Sequence, residues 1–274
     1  MAKTETVEMV INNTPVMFYP NSHTYKILQD DKWIRIPSVT TICGVVDKSR
    51  PLLTWASRLC CDFLMKLPVA QRVNAAIQQA CDLYNDKKVE ASDTGTIVHD
   101  FCEKWVKSQI AGSTEPFDVE EHMKTVHDEA AINGITAFAE WINSHEIEWL
   151  MSERITYSKV HNYVGTFDAT AIIDGKKTII DFKTSNRVNK EYGLQTSAYL
   201  QALCEETGEN PADFDRLVLR FDKKTGFFES VAFKNYENDI AGFNAAIVLT
   251  NSLKNIEEEI KAYQKENEQK PEQE

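Results

Sequence analysis

The stretch YVGTFDATAIIDGKKTIIDFKTS, residues 163–185, constrains the fold of this chain more than any other. Asp174-Gly175 is the two-residue signal for a tight hairpin turn, and the runs on either side are rich in β-branched and aromatic residues. With those two residues as the turn, Ile173 opposes Lys176, Ala169 opposes Ile180 and Phe167 opposes Phe182, giving the hairpin an apolar face. The same register sets Asp168 directly opposite Asp181. Side chains so opposed stand ~4.5–5.5 Å apart between Cβ atoms, and like charges there repel. Lys183 lies two residues beyond Asp181 and shares its face. Two carboxylates and an amine on one face suit a hard divalent cation with a lysine beside it, Mg²⁺ or Mn²⁺ rather than zinc. In a shifted register the same residues are a solvated strand face with one ordinary Asp–Lys pair.

Around the hairpin, the pattern reads as short strands in VEMVI, PVMFY, HTYKIL and KWIRI within residues 7–36. Helices are expected at 52–67, ended by Pro68, at 69–88, from a cap at Asp93-Thr94-Gly95 to Ile110, and over 119–145. Strands follow at 147–158, 162–173 and 176–183, then a helix at 191–206, strands at 215–221 and 227–233, and a helix at 237–264. The order predicts an α/β (α+β) fold with a central mixed β-sheet flanked by helices. It divides into an N-terminal accessory region of strands and helices (1–92), a core (93–264) and a polar tail (265–274) expected to be disordered.

Composition narrows the class. At 274 residues with 42% hydrophobic and 26% charged side chains, the chain is long enough to bury a sizeable core and too apolar for a disordered one. No apolar run approaches the ~20 residues of a membrane span, so no membrane association is expected. MAKTETVEMV lacks the apolar core of a signal peptide, and the expectation is a cytoplasmic protein. The six cysteines show no zinc-like spacing and are read as free thiols. Net charge is −12, with residues 255–274 contributing −4, yet residues 176–190 carry +4, room for an anionic ligand.

Two further clusters bear on chemistry. In TGTIVH (94–99), Ile97, Val98, Phe101, Trp105 and Val106 form one apolar helical arc, and His99 falls at its edge with Glu103 one turn on. Such a histidine is either structural or reaches into a cleft beside the core. In QTSAY (195–199), Gln195 sits within the apolar arc of its helix with Tyr199 beside it, so its amide needs a partner: a backbone carbonyl, or a site.

G-T-F-D, D-F-K and Q-x-x-x-Y, preceded by G-T-x-x-H, together resemble the RecB-like branch of the PD-(D/E)XK nuclease superfamily over residues 93–206. PSVTTICGVVDKSRPLLTWA (37–56) is similar to phage-type members and the mitochondrial genome maintenance exonucleases. The resemblance implies a restriction-endonuclease-like core and a divalent-metal-dependent DNA nuclease, an exonuclease of recombination, repair or phage DNA processing. It implies Asp168 and Asp181 as metal ligands, the second at a position that is Glu in many relatives, with His99 a further ligand or site residue. Lys183 would orient or activate the attacking water and stabilise phosphate charge, and Gln195 with Tyr199 would order the site and touch the DNA backbone. Glu153 matches an acidic position of these proteins. Substrate would be single- or double-stranded DNA ends, with a single-strand annealing or binding protein as a possible partner. Some relatives hold a [4Fe–4S] cluster on one upstream and three C-terminal cysteines. Here only Cys204 follows D-F-K, so no iron–sulfur cluster is expected. No GxxxxGK[ST] loop occurs, so any motor would be a separate protein. Trp55, Arg58, Arg50 and Lys48 in the accessory region, and Arg187 and Lys190 after the hairpin, are candidate DNA contacts. The other readings are a catalytically silent nuclease-fold binding or assembly module and a phosphohydrolase of small nucleotides.

Overall fold

The computed structural model describes residues 6–268. Its N-terminal strands β1 (Val7–Ile11), β2 (Thr14–Tyr19), β3 (Thr24–Gln29) and β4 (Lys32–Ile36) form an antiparallel meander. A short helix α1 (Val39–Cys43) follows, its first turn capped by Ser38 Oγ, which accepts the Thr41 N–H at 3.1 Å. Then come α2 (Ser49–Lys66), α3 (Asn74–Gln109), α4 (Val119–Thr125) and α5 (Glu129–Asn143). The central sheet is β5 (Ile147–Ser158), β6 (Tyr163–Ile173), β7 (Lys176–Lys183), β8 (Phe214–Phe221) and β9 (Phe228–Ala232), in that spatial order. Helix α6 (Glu191–Thr207) crosses from β7 to β8, which makes that pair parallel while the other three are antiparallel. Helix α7 (Tyr236–Glu268) closes the described chain.

The sheet is covered on both faces. On one side Val98, Phe101 and Val106 of α3 and Phe138 and Trp141 of α5 pack on Ala169, Ala171, Ile180 and Phe182. On the other, α1, α6 and the first turns of α7 pack on Phe167 and Ile179. The middle of β7, residues 178–182, is therefore buried, which explains its run of apolar residues. The N-terminal meander has its own small core, built from Val16, Tyr25, Ile27 and Ile36 against Tyr157 and Val164.

Three expected boundaries differ. The cap expected at Asp93-Thr94-Gly95 does not form, because α3 runs unbroken from 74 to 109 and Thr94 Oγ1 donates to Glu90 O instead. The proposed 92/93 division falls inside that helix. The helix expected over 119–145 is two, since Asp128 Oδ1 caps a fresh start at α5 by accepting the Ala130 N–H. The tail expected to be disordered begins helical, as α7 reaches Glu268; residues 269–274 lie outside the described residues.

Candidate active site

The hairpin register is the expected one from Ile173/Lys176 to Ala169/Ile180, and there the ladder between β6 and β7 ends. The expected pairings of Asp168 with Asp181 and Phe167 with Phe182 do not form. Asp168 instead turns its carboxylate onto the ladder, and Oδ2 accepts the backbone N–H of Phe182 at 2.5 Å. β6 turns over at this point: Ala169 packs in the α3/α5 layer, Phe167 in the α6 layer. β5 makes a matching change. A one-residue shift between Trp149 and Met151 sends Trp149 to the α3/α5 layer and Met151 to the α6 side. Glu153, three residues past the shift's start, takes a left-handed φ of 46° in mid-strand. A non-glycine residue held there is strained, and such strain concentrates at functional positions.

These two irregularities bring the site together. His99, Glu153 and Asp168 each offer one ligand atom, all within 4.8 Å of one another. His99 Nδ1 lies 3.8 Å from Asp168 Oδ2. Asp181, 1% exposed, does not join that trio; its Oδ2 is ion-paired with Lys183 Nζ. Lys183 also stands over the Tyr192 ring, 5.2 Å from its centroid. Gln195 Nε2 donates to Tyr199 Oη at 2.8 Å, so the partner of the buried amide is the neighbouring phenol. Glu103 lines the same cleft and is held by Lys107 at 2.8 Å.

The electrostatics are those of carboxylates crowded away from water. Burial, then the charges of Asp168 and Glu103, push Glu153 up to about 9. Burial raises Asp168 too, against the pull of Lys183 and the Phe182 N–H. Asp181 rises to about 6, with burial outweighing Lys183. Burial and the Lys183 ammonium lower His99 to about 4, leaving its ring neutral and free to donate a lone pair. Burial works against the Lys183 ammonium, but Asp181 and Asp168 outweigh it and raise its pKa. Carboxyl groups with raised pKa values beside a neutral imidazole are what such a cluster becomes without a cation. One imidazole and two carboxylates suit a divalent metal, and their oxygens favour a hard one.

Two clefts meet at His99. One, of about 580 Å³, is bounded by Lys88, Lys183 and Lys223, with the hydroxyls of Thr96, Thr184 and Ser185. Among the described residues no carboxylate lines it. The other, of about 800 Å³, runs from Asp168, Glu153 and Tyr199 to the N-terminal meander. Lys88, Lys223 and the meander side chains carried no signal in the sequence, because only tertiary packing brings them to residue 99.

The candidate DNA contacts scatter. Lys48 is ion-paired with Glu191 at 2.6 Å. Trp55 stacks edge-on against Tyr84 at 5.3 Å and is 38% exposed. Arg50 and Arg58 are exposed on α2, and Lys190 is exposed at the start of α6. Arg187 Nε donates to Asn189 Oδ1. Lys176 and Lys177, half of the basic excess in 176–190, pair with Asp215 and Glu209 and do not line either cleft. All six cysteines are unpaired.

A mixed sheet whose central hairpin breaks open at a cluster of carboxylates, with a lysine beside them and a basic cleft leading away, is the frame of the candidate site. The model of the PD-(D/E)XK nuclease superfamily matches residues 70–272, and the chain belongs to that superfamily. Solved structures similar to it include two of the alkaline exonuclease LHK-Exo from Laribacter hongkongensis, one in complex with dAMP. They are 13% and 14% identical, with TM-scores of 0.35 and 0.36, and the matches cover 84% and 85% of this chain and 92% and 93% of those. No curated protein matches the chain. No helix among the described residues is long and apolar enough to cross a membrane.

Proposed function

We propose that this chain is a Mg²⁺- or Mn²⁺-dependent DNA exonuclease of the RecB-like branch. The observation that carries the reading is the convergence of His99, Glu153 and Asp168 within 4.8 Å, next to the Lys183–Asp181 pair and at the mouth of a basic cleft. Asp168, Glu153 and His99 would hold the ion, and Asp181 holds Lys183 beside them. A bound divalent ion supplies a nucleophile at neutral pH and relieves charge on the scissile phosphate. Lys183 adds a fixed positive charge at the phosphate and orients the attacking water. Asp168 is held at two points, by the Phe182 N–H and by its strand, so its free lone pairs are aimed before a ligand arrives. Gln195 holds the phenol of Tyr199, which lines the cleft with Asp168. A role in recombination, repair or phage DNA processing, alongside a single-strand annealing or binding protein, follows from the family resemblance.

The test is a time course on end-labelled linear DNA, single- and double-stranded, with Mg²⁺, Mn²⁺ or EDTA. Wild type should release label only with metal, and folded Asp168→Ala and Lys183→Ala should lose at least ~10²-fold in rate. Intact DNA in every lane would leave the binding-module reading. Cutting that survives Lys183→Ala would put the chemistry elsewhere.

A further inference from the structure

The cleft of about 800 Å³ has two unlike ends. At one stand Glu153 and Asp168; at the other the N-terminal meander presents Phe18, His23 and Tyr25. Phe18 is half-buried and stacked on Tyr25, with ring centroids 4.8 Å apart and planes 22° from parallel. His23 meets the Phe18 ring edge-on at 5.7 Å. Tyr25 Oη is hydrogen-bonded to Thr166 Oγ1 at 2.8 Å, two residues before Asp168 on β6. The stack is thus anchored to the strand that carries the candidate ligand. Charge separates the two clefts. The aromatic one is lined by Asp100, Glu103, Glu153 and Asp168, and its one lysine, Lys107, is bound to Glu103, so it offers no free lysine to a run of phosphates. The basic cleft on the far side of His99 has Lys88, Lys183 and Lys223 and takes phosphates instead.

We infer that the meander builds the subsite for the terminal nucleobase of the strand being cut, with the base stacked on Phe18 and the rest of the strand running through the basic cleft. The inference rests on the nuclease reading. Its physical content is that a base has a π-face and no charge, so it needs no cation from a cleft that has no free lysine for the polyanionic backbone. The volume lies within the ~300–1,000 Å³ of small-ligand clefts, room for one nucleoside.

The experiment compares kcat/KM on single strands ending in a normal nucleoside with strands ending in an abasic site, with Mn²⁺, for wild type, Phe18→Leu and Phe18→Ala/His23→Ala. Base–aromatic stacking predicts that wild type prefers the normal end by roughly 5- to 150-fold. Phe18→Leu keeps the apolar fill of the meander, so a normal melting curve is expected, yet the preference should fall toward one while the rate on the abasic end stays. A preference that Phe18→Leu retains in full, or a wild type that cuts both ends equally, overturns the subsite and leaves the nuclease standing. Failure of folded wild type to cut either end overturns the nuclease reading and this subsite with it.

Discussion

Glu153 sits at φ 46° in the middle of β5, beside Asp168 and His99, with its carboxyl raised to about 9. The unfolded chain ionises it near 4.5, so between those values the metal-free fold binds more protons than the unfolded state. Its contribution to stability therefore falls as pH rises through that window, and Asp181, raised from 3.8 to about 6, adds the same sign over a narrower range. Glu153→Gln should raise the melting temperature of the metal-free protein at pH 8 by more than at pH 5. It should also shrink the gain that Mn²⁺ gives wild type, since a cation stabilises only the fold it binds. A variant that melts at or below wild type at pH 8 would mean Glu153 is not the strained acid described. Gly165 makes a second residue-scale case. A Cβ there would lie 2.6 Å from Tyr199 Cε1 and 2.8 Å from Val39 Cγ2. Gly165→Ala should cost about 1–3 kcal/mol by overpacking in urea denaturation, and should cut activity by displacing Tyr199 from Gln195. The first residue of G-T-F-D is thus a spacing requirement for α6. Gly95 of the T-G-T motif is similar, with a Cβ 3.0 Å from Thr184 Oγ1, so it marks the approach of α3 to the end of β7 rather than a cap.

The elements differ in how much holds them. Trp141 and Phe138 of α5 are fully buried against α3 and the sheet, and Phe138→Ala should cost about 3–5 kcal/mol in denaturant unfolding. The distal half of α7 is the opposite: residues 251–267 are all exposed, Leu253, Ile256, Ile260 and Tyr263 included. Ending the chain after Asn255 should leave the unfolding midpoint where it is, measured under the same conditions; a large drop would show a packing role that the exposed face does not suggest. The α2–α3 hairpin is equally thin, since α2 buries no residue and the first half of α3 buries only Ala76 and Ala80. Strands β5 to β7 were legible because alternation and an Asp-Gly turn are local signals. The α4/α5 break was harder to see because Asp128 acts as a cap only once Val126 turns into the core; Thr94 Oγ1 then reaches that carboxylate.

For the whole molecule, a net charge of −12 sets a requirement on any DNA substrate: its phosphates should follow the cleft lined by Lys88, Lys183 and Lys223. Lys88, Lys183 and Lys223 supply three contacts, so log affinity for single strands should fall with log salt at a slope of about −2. Lys223→Ala should make that slope shallower by about 0.7 and weaken binding evenly across sequences, as titrations at several salt concentrations would show. A slope near −6 would mean that the strand binds a different face. By itself the sequence determined the hairpin and its register near the turn, the order of the strands, and the polar side chains that are candidates for a site. Those follow from propensity and period, which act over a few residues. Only the tertiary structure decided that Asp168 leaves the ladder to bond Phe182, that Glu153 rather than Asp181 stands with it and His99, and that the N-terminal meander closes the cleft. Each of these depends on a one-residue shift or on contacts between distant segments, where packing overrides the local pattern.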